Sequence, residues 1–97
     1  MKSGKKLFFH NDAGHGWLAV PRKLIKELGI EEKISAFSYI RGKTVYLEED
    51  DDCFCFFEAI KEAGRAFLLV EKYKVRSPIR GYDFYSIEKF NAALSGE

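Results

Sequence analysis

Residues Gly14–Asp52 read GHGWLAVPRKLIKELGIEEKISAFSYIRGKTVYLEEDDD, and the way this stretch divides decides the fold. Trp17 to Val20 is a short strand. Pro21 suits the first position of a helix, where its missing N–H costs nothing. Leu24, Ile25 and Leu28 recur at helical spacing, with Arg22, Lys23, Lys26 and Glu27 on the other face. Gly29 is the residue type that ends a helix in the left-handed conformation. After the connector Ile30–Ser35, strands are expected over Ala36–Arg41 and Thr44–Glu48, with Gly42-Lys43 at the tip of their hairpin. Val45 and Leu47 share one face of the second strand, and Thr44 and Tyr46 the other. The acids Glu48–Asp52 then stand before a helix, where carboxylates satisfy free N–H groups and suit the positive end of the helix dipole.

Upstream, Lys5–His10 reads as a strand with Leu7 and Phe9 opposite Phe8 and His10. Asn11–Gly16 is turn-forming and makes a hairpin of the first two strands. Downstream, Cys53–Ala63 is a helix with Cys53, Phe56, Phe57, Ile60 and Ala63 on one side and Glu58, Lys61, Glu62 and Arg65 on the other. Phe54 falls nearer the charged side: either the helix starts later or this ring is exposed. Gly64 ends the helix, and Ala66–Val75 is the longest strand, whose apolar first half suggests a central place in the sheet. Along it Lys72, Lys74 and Arg76 point one way, Tyr73 and Val75 the other. Ser77–Asp83 is a loop, and Ser86 caps a last helix with Ile87, Phe90 and Leu94 on one stripe, before a frayed tail, Ser95-Gly96-Glu97. The order ββαββαβα predicts an α+β fold: a mainly antiparallel sheet of about five strands with two principal helices packed on it.

At 97 residues the chain is expected to form one domain spanning 1–97. Aromatic residues make up 15%, with nine Phe, five Tyr and one Trp, more than a small core needs, so some rings belong to a binding surface. The net charge of +1 creates no global field toward nucleic acid or membrane. Cys53 and Cys55 are one residue apart, too close for an unstrained disulfide, and read as reduced thiols of a cytoplasmic protein. MKSGKK at the start has no apolar segment behind it, so it is not a secretory signal, and no apolar run approaches the ~20 residues of a membrane span.

Three clusters carry the residue types of a site. His10, Asp12 and His15 share one turn and have donors suited to a divalent metal, but a strand-end His, an Asx-turn Asp and a glycine-flanked His account for them without one, and no metal is assigned. Glu48, Glu49, Asp50, Asp51 and Asp52 lack the alternation and glycine of a calcium loop; they supply a helix N-terminus or offer acids to a basic groove. Lys72, Lys74 and Arg76, followed by Arg80, Tyr82 and Tyr85, combine cations for phosphate with rings for bases. Arg80 is the residue suited to a bidentate contact with a carboxylate or a phosphate. No serine has a nucleophile-elbow context, and there is no Walker A or dinucleotide glycine motif, so neither an enzyme nor a cofactor is indicated.

GHGWL (14–18), LGI (28–30), SY (38–39), YLEEDD (46–51) and SPIRGYD (77–83), in that order, resemble a family of small proteins of phages and mobile elements. That resemblance implies a bacterial or phage cytoplasmic setting and an accessory or anti-defence role, of which anti-CRISPR proteins are examples, and it brings no catalytic residues. Residues 16–48 are also similar to the AbrB/MazE-type swapped-hairpin domain, through the strand ending in Pro21, the Leu28-Gly29-Ile30 helix end and the glycine-tipped hairpin. This second resemblance implies an intertwined homodimer that grips DNA. The chain departs from it where Lys33 and Ile34 replace a Gly-Asp pair and Ile25 an arginine. The expectation is a small non-enzymatic protein that binds a host or phage protein through Glu48, Glu49, Asp50, Asp51, Phe54, Arg76, Arg80 and Tyr82. The alternative is nucleic-acid binding through the swapped-hairpin unit or through Lys72, Lys74, Arg76, Arg80 and Tyr85.

Overall fold

The computed structural model describes residues 5–95. The hairpin at the start forms as expected from β1 (Lys6–Asn11) and β2 (Gly16–Pro21), turned by Asp12, whose carboxylate accepts the N–H groups of Gly14 and His15. Pro21 ends β2 in an extended conformation, and α1 (Arg22–Leu28) begins one residue later than the proline rule places it. Gly29 closes α1 at φ 70°, the left-handed conformation expected of it. The hairpin β3 (Tyr39–Arg41) and β4 (Thr44–Glu48) follows, then α2 (Asp51–Glu62) and β5 (Leu68–Tyr73). A 3-10 turn (Pro78–Gly81), the short β6 (Asp83–Phe84) and α3 (Ile87–Ser95) complete the chain; Gly96 and Glu97 of the expected frayed tail lie outside the described residues.

The fold is α+β, and among the described residues six strands form one sheet in the order β5-β1-β2-β4-β3-β6. All neighbours are antiparallel except β5, which lies parallel to β1. Alternation sends Leu7, Leu18, Val20, Val45 and Leu47 to one face, where Leu24, Ile25, Phe56 and Phe90 of the helices meet them in the core. Burying each such side chain contributes about 1.5–3 kcal/mol. Phe9 also faces this side, and its ring lies against Gly16 so closely that a Cβ there would overlap it.

Four expectations are corrected. The strand expected from Ala36 starts only at Tyr39, because buried Asp52 accepts hydrogen bonds from Ser35 N–H, Ser35 Oγ and Ser38 Oγ and bends that segment into a turn. The β5 strand is at the edge, not the centre: the chain crosses over through α2 and lands on the free flank of β1, leaving Leu68 and Leu69 56% and 49% exposed. The added strand β6 pairs with β3. Arg22, assigned to the solvent face of α1, is buried. Its Nη1 donates to the carbonyls of Lys89 (3.0 Å) and Phe90 (2.8 Å), its Nε donates to the Gly42 carbonyl, and its backbone N–H donates to Lys43 O at 2.8 Å. One side chain thus joins α1, the β3–β4 hairpin tip and α3.

Arg22→Ala is expected to destabilise the fold by about 2–4 kcal/mol, since it opens a cavity and strips buried acceptors of a charged donor. Arg22→Lys should recover less than half of that, because an ammonium cannot reproduce the guanidinium fork. Urea denaturation checks both; a loss below about 1 kcal/mol for the alanine variant would remove Arg22 from this role. Gly16→Ala should cost about 1–3 kcal/mol by overpacking against Phe9, and Phe9→Leu should be less damaging in the Gly16→Ala background than alone.

Candidate functional site

The face of the sheet turned away from the helices carries rings. Alternation sends Phe8 and His10 of β1, Trp17 of β2, Tyr46 of β4, Tyr39 of β3 and Phe84 of β6 to that side. Trp17 meets Tyr39 edge-on at 6.1 Å between centroids, Tyr39 stacks on Phe84 at 5.3 Å, and His10 meets Tyr46 at 6.2 Å. Such pairs add to the burial of the rings. Across this face runs the segment 74–82, a strap from β5 at one edge of the sheet to β6 at the other.

Named contacts hold the strap down. The Ser77 hydroxyl accepts the Ile79 N–H at 3.2 Å and starts the 3-10 turn, and Ile79 is buried. Arg80 donates to Asp12 through Nε (2.6 Å) and Nη2 (3.0 Å), and its guanidinium carbon is 5.4 Å from the Trp17 ring centroid. The Tyr82 ring packs on Tyr46 at 5.2 Å and has Arg41 over it at 4.9 Å. The Arg80 guanidinium, then the Gly14 and His15 N–H groups, hold the Asp12 carboxyl well below the ordinary carboxylate range. The bidentate contact expected of Arg80 is thus made, with a carboxylate of its own chain.

The strap divides the face into two clefts. The first, of about 410 Å³, has Trp17 and Tyr39 as aromatic wall and Glu49, Asp50 and Asp51 as acidic rim, with Phe37 at its lip 79% exposed. His15 Nδ1 stands 3.8 Å from Glu49 Oε2 at the same rim. The acidic run itself is divided by role. Glu48 accepts the N–H groups of Asp50 (2.9 Å) and Asp52 (2.8 Å) and so caps α2, and Asp52 is buried against Ser35 and Ser38. Glu49, Asp50 and Asp51 alone face outward. The second cleft, of about 370 Å³, is lined by Lys72, Lys74, His10, Ser77, Tyr46 and Tyr82. Burial first, and then the charges of Lys72 and Lys74, lower the pKa of His10.

Of the other residues singled out from sequence, Phe54 is 66% exposed on α2, where it lines a separate groove with Lys33 and Glu58, and Arg76 is exposed on the strap. Tyr85 is corrected: it is buried in the core and its hydroxyl donates to the Glu31 carbonyl, so it cannot stack on a base. His10, Asp12 and His15 do not converge, because His10 meets Tyr46, Asp12 meets Arg80 and His15 meets Glu49. Among the described residues no three His, Cys, Asp or Glu side chains are grouped to hold a metal ion. Cys53 is buried with its thiol pushed up to about 12 by desolvation, and burial also raises Cys55, which keeps both as thiols rather than nucleophilic thiolates. In the 16–48 unit, β2 pairs with β4 of the same chain. Among the described residues no helix is long and apolar enough to cross a membrane. Trp17 beside His15 was legible as a polar–aromatic contact patch, and the two rings stand 6.2 Å apart. Sequence reasoning missed Tyr39, His10 and Tyr46 as lining residues, whose signal was the period of two that sets them opposite the core residues of the same strands, and Phe37, which lies in the turn before β3 and carries no such signal.

Comparison with protein-family models, with curated proteins and with solved structures finds no match for this chain.

Because the Asp12 carboxyl is depressed in the folded state, its contribution is complete above the unfolded value of about 3.9 and is lost as pH falls below it. The melting temperature should therefore drop between about pH 4 and pH 2, and Asp12→Asn should lower it at neutral pH and flatten that drop. Parallel acid profiles for the two proteins would show this; equal slopes would mean that other carboxylates govern acid stability.

Proposed function

We propose that this is a small non-enzymatic binding protein of phage or mobile-element type, acting in the bacterial cytoplasm by protein–protein contact as an anti-defence inhibitor. The observation that carries the reading is the first cleft, where exposed Phe37 and the Trp17–Tyr39 wall adjoin the outward-facing carboxylates Glu49, Asp50 and Asp51. Aromatic anchors in a cleft with charges at the rim are the composition of a protein interface, the rings giving affinity and the charges orientation. The partner is a host or phage protein with a basic surface. Phe54 and Arg76 are exposed and offer further contact outside the cleft, Glu48 and Arg80 line it, and Tyr82 belongs to the second cleft across the strap. The sequence resemblance to small phage proteins supports the setting.

A second reading, nucleic-acid binding, is favoured by the second cleft, in which Lys72 and Lys74 stand beside tyrosine rings with no carboxylate lining it. Phosphate held by the lysines and bases on the rings is the arrangement that single strands use.

The triple variant Glu49→Gln, Asp50→Asn, Asp51→Asn keeps Glu48 and Asp52 and should retain its melting temperature within a few degrees. It should bind the partner captured from bacterial lysate about 10–100-fold more weakly than the parent. Undiminished capture would overturn the acidic cleft as the contact. For the second reading, anisotropy of labelled oligonucleotides across a salt series should show affinity falling with a slope of about −0.7 per phosphate neutralised on single strands.

A further inference from the structure

The second cleft is bounded by strand, strap and sheet at once. Lys72 stands in register with His10 on β1, and the Lys74 N–H donates to the Asn11 carbonyl at 3.0 Å, so both lysines are fixed at one end of the β1–β5 pair. Lys72 Nζ lies 5.0 Å from the Phe8 ring centroid, a contact that holds an ammonium without neutralising it. The four ion pairs among the described residues use neither Lys72 nor Lys74, and Glu71 points to the opposite face by alternation. Two lysines therefore line a cavity with no acid in its lining.

The other walls have a different character. The Ser77 hydroxyl accepts the Ile79 N–H, which leaves its own hydrogen to donate into the cleft. Tyr46 and Tyr82 offer flat apolar rings with hydroxyl tips, and their packing against one another fixes both. Volume discriminates among ligands: about 370 Å³ is at the small end of sites that enclose an organic ligand, and a bare phosphate would leave most of it unfilled. Lysines suit phosphate as point charges, a hydroxyl completes its hydrogen bonds, and tyrosine faces take a planar base.

From this we propose that the cleft beneath the strap is a nucleoside 5′-phosphate site: Lys72, Lys74 and Ser77 hold the phosphate, and Tyr46 and Tyr82 seat the base. The phosphate belongs either to a free mononucleotide or to the 5′ end of a single strand. The site rests on the second reading above and names its ligand; the acidic cleft on the other side of the strap is not involved.

The test is calorimetric titration of the purified full chain at low salt with adenosine 5′-monophosphate, adenosine, inorganic phosphate, and a short oligothymidylate with and without a 5′-phosphate. Saturable binding of the mononucleotide or of the 5′-phosphorylated strand is expected, at least about tenfold tighter than adenosine or phosphate alone. Which of the two binds more tightly identifies the source. The double variant Lys72→Ala, Lys74→Ala should weaken that binding at least about tenfold with an unchanged melting temperature, since both side chains are exposed. Ser77→Ala, which also takes from the strap the acceptor of the Ile79 N–H, should weaken it about threefold or more. No saturation up to about 5 mM of any phosphate ligand, or undiminished binding by the double variant, overturns the site. Equal affinity for oligonucleotides with and without the 5′-phosphate, with no mononucleotide bound, keeps nucleic-acid binding and overturns this ligand. Mononucleotide bound with no oligonucleotide bound keeps the site and overturns the nucleic-acid reading.

Discussion

A buried guanidinium is the tie on which the arrangement of elements depends. Arg22 begins α1, yet its side chain reaches the carbonyls of Gly42 in the β3–β4 tip and of Lys89 and Phe90 in α3. Backbone pairing already sets the start of α1 beside the hairpin tip, through Pro21 against Thr44 and the Arg22 N–H on the Lys43 carbonyl, and the side chain adds α3 to them. The fork geometry of arginine, with several donors fixed in one plane, lets a single residue set them together. The same residue lies 5.8 Å from the Phe90 ring, which belongs to the core, so polar tie and apolar packing meet at one point.

On the opposite face the organising contact is also an arginine, but its chemistry differs. Arg80 is half-exposed and paired with a carboxylate, and what it positions is a loop rather than the core. With that loop lying across the sheet, a face that would be one continuous aromatic surface becomes two clefts of opposite electrostatic character. Asp12 serves both the hairpin turn and the strap, so the first turn of the chain and its last loop share one anchor.

Local signals in the sequence were legible wherever one residue determined a local shape. The stop at Gly29, the hairpin tip at Gly42, the Ser86 cap and the alternation of Val45 and Leu47 all rest on neighbours within a few residues. The exposed ring at Phe54 was legible for the same reason, from helical periodicity alone. Long-range pairings decided what was missed. An apolar strand such as Leu68–Tyr73 reads as central because hydrophobicity reports burial on the average, whereas its place at the edge follows from where the crossover from α2 lands. Arg22 looked solvated because charge is a prior for exposure, and only the carbonyls brought from 20 and from 67–68 residues away make a buried arginine tenable. Tyr85 lies beside an exposed loop in sequence but turns inward to the Glu31 carbonyl. As for the candidate site, its residue types were legible in Arg80, in the lysines of β5 and in the acids before α2; its walls were not, since they come from strands that meet only in the sheet.

The parallel pairing of β1 with β5 sets an order on synthesis. The β1 strand leaves the ribosome first, but its partner on one flank is some sixty residues downstream, beyond two helices and a hairpin. Until β5 has been made, the flank of β1 that it occupies has no partner strand. The strap is made later still, after every strand but β6 and before α3, so neither cleft is walled until then. The strap therefore covers the aromatic face as well as dividing it, and that cover depends on residues made after five of the six strands of the described sheet.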